Sequence, residues 1–221
     1  VAASRPAQLL REETARSGYT RSRAKWINRH ASPQGTLLEI GTGTGSLLSS
    51  LRELGWNVEG IEPSPILHAH AASVVKGVSV HRCELDKAED FLSLKPYRVI
   101  VAIDVIEHIP NPFLLPQRAF DWLQPGGYLF LQTPNVESIR HRLQGSRWEQ
   151  LAPEEHHILH SSKSLRAVIE KAGLVVEGIQ TLSGCANDNP LRRLLMQAGG
   201  ACLNLVGLGN ALWAVARKRL L

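Results

Sequence analysis

The sequence predicts an α/β fold, a doubly wound, mostly parallel seven-stranded sheet with helices on both faces. Three observations carry this. Apolar runs alternate with helical stretches along residues 36 to 217. Several runs are unbroken, such as Val99-Ile100-Val101-Ala102-Ile103, as expected of strands covered on both faces. The first run, "LLEIGTGTGSLL" at 37–48, ends on three glycines at alternate positions and then a helix start. Such a turn brings backbone N–H groups against a nucleotide at the carboxyl end of the sheet.

The elements follow in order. Residues 5–30 read as helical in two pieces broken near Gly18, with Leu9, Leu10, Trp26 and Ile27 available for docking, and Pro33-Gln34-Gly35 is a turn. Strands are expected at 36–40, 57–61, 78–82, 98–103, 127–132, 174–181 and 211–217. Helices are expected at 45–54, 64–73, 84–91, 112–123, 136–143, 162–172 and 191–205. The domain expectation is a helical cap, 1–35, ahead of one domain at 36–221 whose segments 133–160 and 183–210 cover the substrate.

Composition narrows the classes. The chain has 221 residues, 43% hydrophobic and 20% charged, which is ordinary globular usage. Its net charge of +5 is uneven: residues 1–30 carry +5, 191–221 another +5 and the middle −5. An acidic body with basic ends argues against a nucleic-acid partner, whose binders carry the basic patch on the recognition element. The three cysteines, Cys83, Cys185 and Cys202, form no C-x-x-C pair, which speaks for a reducing compartment and against a thiolate metal site. No apolar signal core follows Arg5 and Pro6, and the stretch Leu194–Ala216 is interrupted by Gln197, Asn204, Asn210 and glycines. The expectation is therefore a cytoplasmic chain with no transmembrane segment. Gly199-Gly200 and the apolar tail serve either a homodimer interface or the core.

The glycine spacing departs from the dinucleotide pattern G-x-G-x-x-G, since Gly41, Gly43 and Gly45 are followed by Ser46. Glu39 stands two residues before Gly41. Glu62 ends the second strand about 20 residues after the turn, where a carboxylate accepts both hydroxyls of a ribose. Cys83-Glu84-Leu85-Asp86 follows the third strand and offers a polar and an apolar side chain to bracket an adenine. The fourth strand runs into "AIDVIEHIP", and "LQPGG" precedes the fifth.

In this order the motifs resemble the class I S-adenosylmethionine-dependent methyltransferases, over about residues 36–181 and the last strand. The resemblance implies a Rossmann-like sheet with its last strand antiparallel. "VIEHIPNP" and the stretch from "TPNVESIR" to "EEHHILHSS" resemble, more narrowly, the small-molecule O-methyltransferases of ubiquinone biosynthesis. By position the resemblance implies that Glu39, Gly41, Thr42, Gly43 and Gly45 cradle the methionine part and ribose. Glu62 holds the ribose hydroxyls with Pro63 beside the adenine, Glu84 and Leu85 flank the base, and Ala102 and Ile103 meet the methionine end through their backbone.

Methyl transfer to a hydroxyl needs alignment and removal of a proton. His108, after strand four, is the expected base; Glu107 orients it or the substrate, and His157 approaches from the later loop. Asp104, Glu107 and His108, with a histidine of 156–160, would also suit a divalent ion, as resembled quinone and small-RNA methyltransferases suggest. The expectation is nonetheless no metal, because Asp104 is shorter than the Glu those groups carry. The reading from sequence is methyl transfer to a small molecule, at oxygen. The alternatives are RNA ribose 2′-O-methylation and a non-catalytic S-adenosylmethionine-binding scaffold.

Overall fold

The computed structural model describes residues 17–183, 204–205 and 207–220. Residues 191–203 of the helix expected at 191–205, most of the 183–210 segment, Leu9, Leu10, Cys185 and Cys202 lie outside the described residues. Seven strands form one sheet in the order β3-β2-β1-β4-β5-β7-β6. They are β1 (Thr36–Ile40), β2 (Asn57–Ile61), β3 (Val80–His81), β4 (Tyr97–Ile103), β5 (Leu123–Pro134), β6 (Val175–Leu182) and β7 (Ala211–Arg217). β1 pairs parallel with β2 and β2 with β3, while β7 runs antiparallel to β6. The helices are α1 (Ser17–Ala31), α2 (Ser46–Glu53), α3 (Pro65–Val74), α4 (Leu114–Trp122), α5 (Ile139–Gln144) and α6 (Ser162–Lys171).

Some elements differ from the expectation. α1 begins at Ser17, next to the break expected near Gly18, and the first helical piece expected from residue 5 lies outside the described residues. The segment expected as a helix at 84–91 is a 3-10 turn, Leu85–Asp90. β3 pairs only through Val80 and His81, and β5 extends back over the Pro-Gly-Gly stretch, where Gly126 has φ 76. No described helix is long and apolar enough to cross a membrane.

The described residues divide into two compact units. The first runs to Val101 and adds Trp122–Tyr128. Here α1 buries Ala24, Ile27 and Ala31, spaced as one helical face, and packs on α2. Asn28 Oδ1 accepts from Trp56 Nε1 at 3.0 Å and Gln34 Nε2 at 2.9 Å. The Arg98 guanidinium donates to the carbonyls of Ala31 and Pro33 at 3.0 Å, closing the C-terminal end of α1. β1 and β2 are buried over Leu37–Ile40 and Val58–Ile61, the two-faced burial that their apolar runs predict. Ser64 caps α3 by accepting from Leu67 N–H, with Pro65 at the first helical position.

The second unit takes in Ala102–Asp121 and the described residues from Leu129 onward. α6 opens with a reciprocal Ser161–Ser164 capping box and buries Leu165, Val168 and Ile169. β6 and β7 form its antiparallel pair, with a register shift between Val176 and Gly178. Asn135, fully buried, donates to the carbonyls of Gly209 at 2.8 Å and Gly207 at 3.3 Å, and Ile139 N–H reaches Leu208 O. These bonds fasten the start of the 133–160 segment to the turn before β7.

Candidate active site

In the first unit the chain leaves β1 at Glu39-Ile40 and turns over Gly41, Gly43 and Gly45, all in the left-handed region. Gly41 and Thr42 N–H both donate to Ile61 O, at 2.9 and 3.1 Å. The turn thus hangs on the end of β2 and not only on its own strand. A Cβ at Gly45 would lie 2.9 Å from Val75 Cγ2 and 3.1 Å from Ala71 Cα, so a side chain there would push α3 away. A Cβ at Gly43 would meet nothing within 4 Å, so that face of the turn stays open.

Glu62, one residue past β2, fastens the turn from the other side. Its Oε2 accepts Gly43 N–H at 2.8 Å and its Oε1 accepts Ser64 N–H at 2.9 Å. The side chain is buried, and burial raises its pKa against the lowering effect of those two amides. Carboxylate oxygens accept more than one hydrogen bond each, so this group has capacity left for a ligand's hydroxyls. Glu39 and Thr42, at the end of β1 and in the turn, are buried, Pro63 and Glu84 are exposed, and Leu85 is buried at the head of the 3-10 turn. Ala102, buried, and Ile103, half-buried, fall in the second unit.

The second unit gathers a different chemistry. Among the described residues Asp104 is the only non-glycine with positive φ, 54°, a conformation that Asp tolerates better than most side chains. Its N–H donates to Gln132 O and its Oδ1 accepts from Gln132 Nε2, both at 2.9 Å. Glu107, 1% exposed, accepts from Thr133 Oγ1 at 3.0 Å. Burial first, and then the Asp104 carboxylate, push Glu107 up to about 8.

His108 Nδ1 lies 2.9 Å from Glu155 O, and His156 Nδ1 lies 2.8 Å from Gln150 O. A ring nitrogen bonding a carbonyl carries the proton, so the basic nitrogen of each neutral ring is Nε2. The two rings meet edge to face at 4.8 Å between centroids. One donor atom from each of Glu107, His108 and His156 lies within 4.8 Å of the others. His157, the loop histidine expected from sequence, is exposed, and it is its backbone N–H that reaches Glu107 O at 2.8 Å. Asp104, tied to Gln132, is not part of the three-donor group.

The profile of the methyltransferase domain family matches residues 10–178. The chain belongs to the S-adenosylmethionine-dependent methyltransferases. A ubiquinone biosynthesis O-methyltransferase of Paraburkholderia xenovorans is 33% identical over 143 residues, 61% of this chain and 61% of that one. One from Paraburkholderia phymatum is 30% identical over 183 residues, 77% of this chain and 76% of that one. The chain thus spans less than two thirds of the first relative's length. The fold matches a SAM-dependent methyltransferase from Archaeoglobus fulgidus with a TM-score of 0.70 at 16% identity, covering 95% of this chain and 98% of the other.

For a methyltransferase the open turn and the buried Glu62 fit an adenosyl ligand, offering a bare backbone face and an acceptor for hydroxyls. Sequence reasoning missed three residues. Gly60 is one: a Cβ there would stand 2.4 Å from Thr42 Cγ2, so its absence lets the turn sit on β2. A glycine inside an apolar strand was a legible signal for such close approach. Gln132 and Thr133, which hold Asp104 and Glu107, come from a neighbouring strand and gave no local signal. Of the histidines at 156–160 that the sequence offered as a ligand, His156 is the one that joins Glu107 and His108.

Proposed function

We propose that this methyltransferase moves the methyl group of S-adenosylmethionine to a hydroxyl oxygen of a small-molecule acceptor. The observation that carries the donor half is the Glu62 carboxylate bonded to Gly43 N–H beside the open face of the glycine turn. In this reading Gly41, Thr42, Gly43 and Gly45 cradle the donor with Glu39, Glu62 takes the ribose hydroxyls, and Pro63, Glu84 and Leu85 border the adenine. The backbone of Ala102 and Ile103 serves the methionine end. Bound S-adenosylmethionine supplies an electrophilic methyl on a cationic sulfur.

For the acceptor half, His108 is the base: Glu155 O holds Nδ1 protonated and orients the ring, which leaves Nε2 to take the hydroxyl proton as the new O–C bond forms. Glu107, pushed up to about 8, holds its proton at neutral pH and donates a hydrogen bond to an acceptor oxygen. His157 is kept as a lid residue near this loop. The names of the relatives support oxygen as the target.

The test is to incubate the chain with methyl-labelled donor and a panel of phenols, catechols, amines and RNA. Label in an O-methyl phenol or catechol with stoichiometric S-adenosylhomocysteine is expected. Label confined to amines or RNA overturns the acceptor, and binding of the donor with no turnover on any acceptor favours a scaffold.

A second reading has one observation in its favour, the three-donor group of Glu107, His108 and His156. Ligands around a divalent ion stand closer, roughly 3–3.5 Å apart, so the group must contract to hold one. Such an ion would supply Lewis acidity toward the acceptor oxygen. Activity abolished by a chelator and restored by a divalent cation supports this reading, and full activity in chelator removes it.

A further inference from the structure

Glu59, in the middle of β2, belongs to no part of the site described so far, yet it is completely buried. A buried carboxylate needs donors, and this one has them from three places. His81 Nε2, at the end of β3, lies 2.7 Å from Oε1. Ser93 reaches it with its N–H at 3.0 Å and its Oγ at 3.0 Å, and Leu94 N–H reaches Oε2 at 3.1 Å. The Tyr97 hydroxyl, at the start of β4, also donates to Oε2. Burial alone raises the carboxyl's pKa, but the Tyr97, His81, Ser93 and Leu94 bonds outweigh it and leave Glu59 below the ordinary value.

The positions of these partners give the network a purpose. His81 is the residue before segment 82–92, and Ser93 and Leu94 are the residues after it. One carboxylate therefore holds both ends of the segment that carries Glu84 and Leu85. Phe91 closes the same loop by lying over the His81 ring, 6.0 Å between centroids. β3 itself pairs only through Val80 and His81, with His81 O accepting from Glu62 N–H and His68 Nε2 meeting Val80 O, so the carboxylate adds a side-chain anchor where the ladder is short.

We infer that Glu59 is a positioning residue that sets the wall against which the donor's base is read, by pinning both ends of segment 82–92. The inference rests on the donor reading above, since it takes Glu84 and Leu85 as the base contacts. A fold pin with no such role would destabilise the protein when removed but leave base selectivity untouched.

The test compares S-adenosylhomocysteine with S-inosylhomocysteine, which replaces the exocyclic amino donor by a carbonyl, using calorimetry on the full chain. The unaltered protein is expected to prefer adenine by about tenfold or more, the usual scale for one misplaced polar contact. Glu59→Gln, and His81→Phe should the first fail to fold, are expected to bring the ratio toward one. They should also speed deuterium exchange in 82–92 while leaving 41–45 unchanged. Tyr97→Phe removes a donor but neither end of the pin, and is expected to lower the melting temperature and keep the ratio. The inference is overturned by any of three results. These are no base preference in the unaltered protein, an unchanged ratio in both pin variants, or a Tyr97→Phe ratio that falls as far as theirs. If the unaltered protein binds neither nucleoside, the donor reading itself fails, and that outcome is distinct from the other three.

Discussion

Gly60→Ala is the most direct probe of how the glycine turn is held. The added Cβ would sit 2.4 Å from Thr42 Cγ2 and 3.1 Å from Leu48 Cδ2, against an ordinary carbon contact of about 3.5–4.0 Å. Leu48 gives by a few tenths of an ångström. Thr42 must move by about an ångström, and it is β-branched, buried and tied by its N–H to Ile61 O. The turn therefore moves with it and drags Gly43 off Glu62. Overpacking of this kind costs about 1–3 kcal/mol, or roughly 2–4 °C of melting temperature for each kcal/mol in a chain of this size. Titration calorimetry with S-adenosylhomocysteine should show affinity falling about tenfold or more, because the ligand meets a displaced cradle. The double variant Gly60→Ala/Thr42→Ser deletes the clashing methyl and keeps the hydroxyl, and should recover most of both losses. Single-variant melting and binding equal to the parent, or a double variant no better than the single, would refute the packing argument.

Glu62→Ala removes two backbone hydrogen bonds and the proposed ribose acceptor together, and should weaken donor binding by about 1–3 kcal/mol in the same calorimetric assay; unchanged affinity counts against the ribose role. His108→Ala should lower turnover at least about a hundredfold with donor affinity kept, and equal turnover removes it as the base. Glu59, whose folded pKa is below 4.5, contributes stability that is fully present above about pH 4.5 and is lost as pH falls through the folded value. Melting temperature should therefore drop on acidification below that point, and less steeply in Glu59→Gln; parallel curves would deny the linkage.

The sheet was legible because strands covered on both faces are written as unbroken apolar runs, and the glycine turn because left-handed backbone favours glycine. Glu39, Glu62 and Glu107 were legible as acids at strand ends. What the sequence hid was long-range. That Gln132 holds Asp104 and Thr133 holds Glu107 depends on which strand lies beside β4, and no local pattern states it. In "EEHH" both histidines are equal on paper, but His156 Nδ1 reaches Gln150 O while His157 turns outward, a choice made by an irregular loop with no period to read. The 84–91 stretch has helical composition, yet it forms a 3-10 turn between two ends held by Glu59, so tertiary anchoring overrides propensity.

The bond between Gly43 and Glu62 has an energetic consequence for ligand capture. Under the proposed donor reading, the carboxylate already grips the turn before a ligand arrives, so the receptor enters the encounter with its shape set, and little chain entropy is left to surrender. Tight association then relies on rigidity built during folding, and a mutation that merely slackens this latch weakens capture without touching a single atom of the guest.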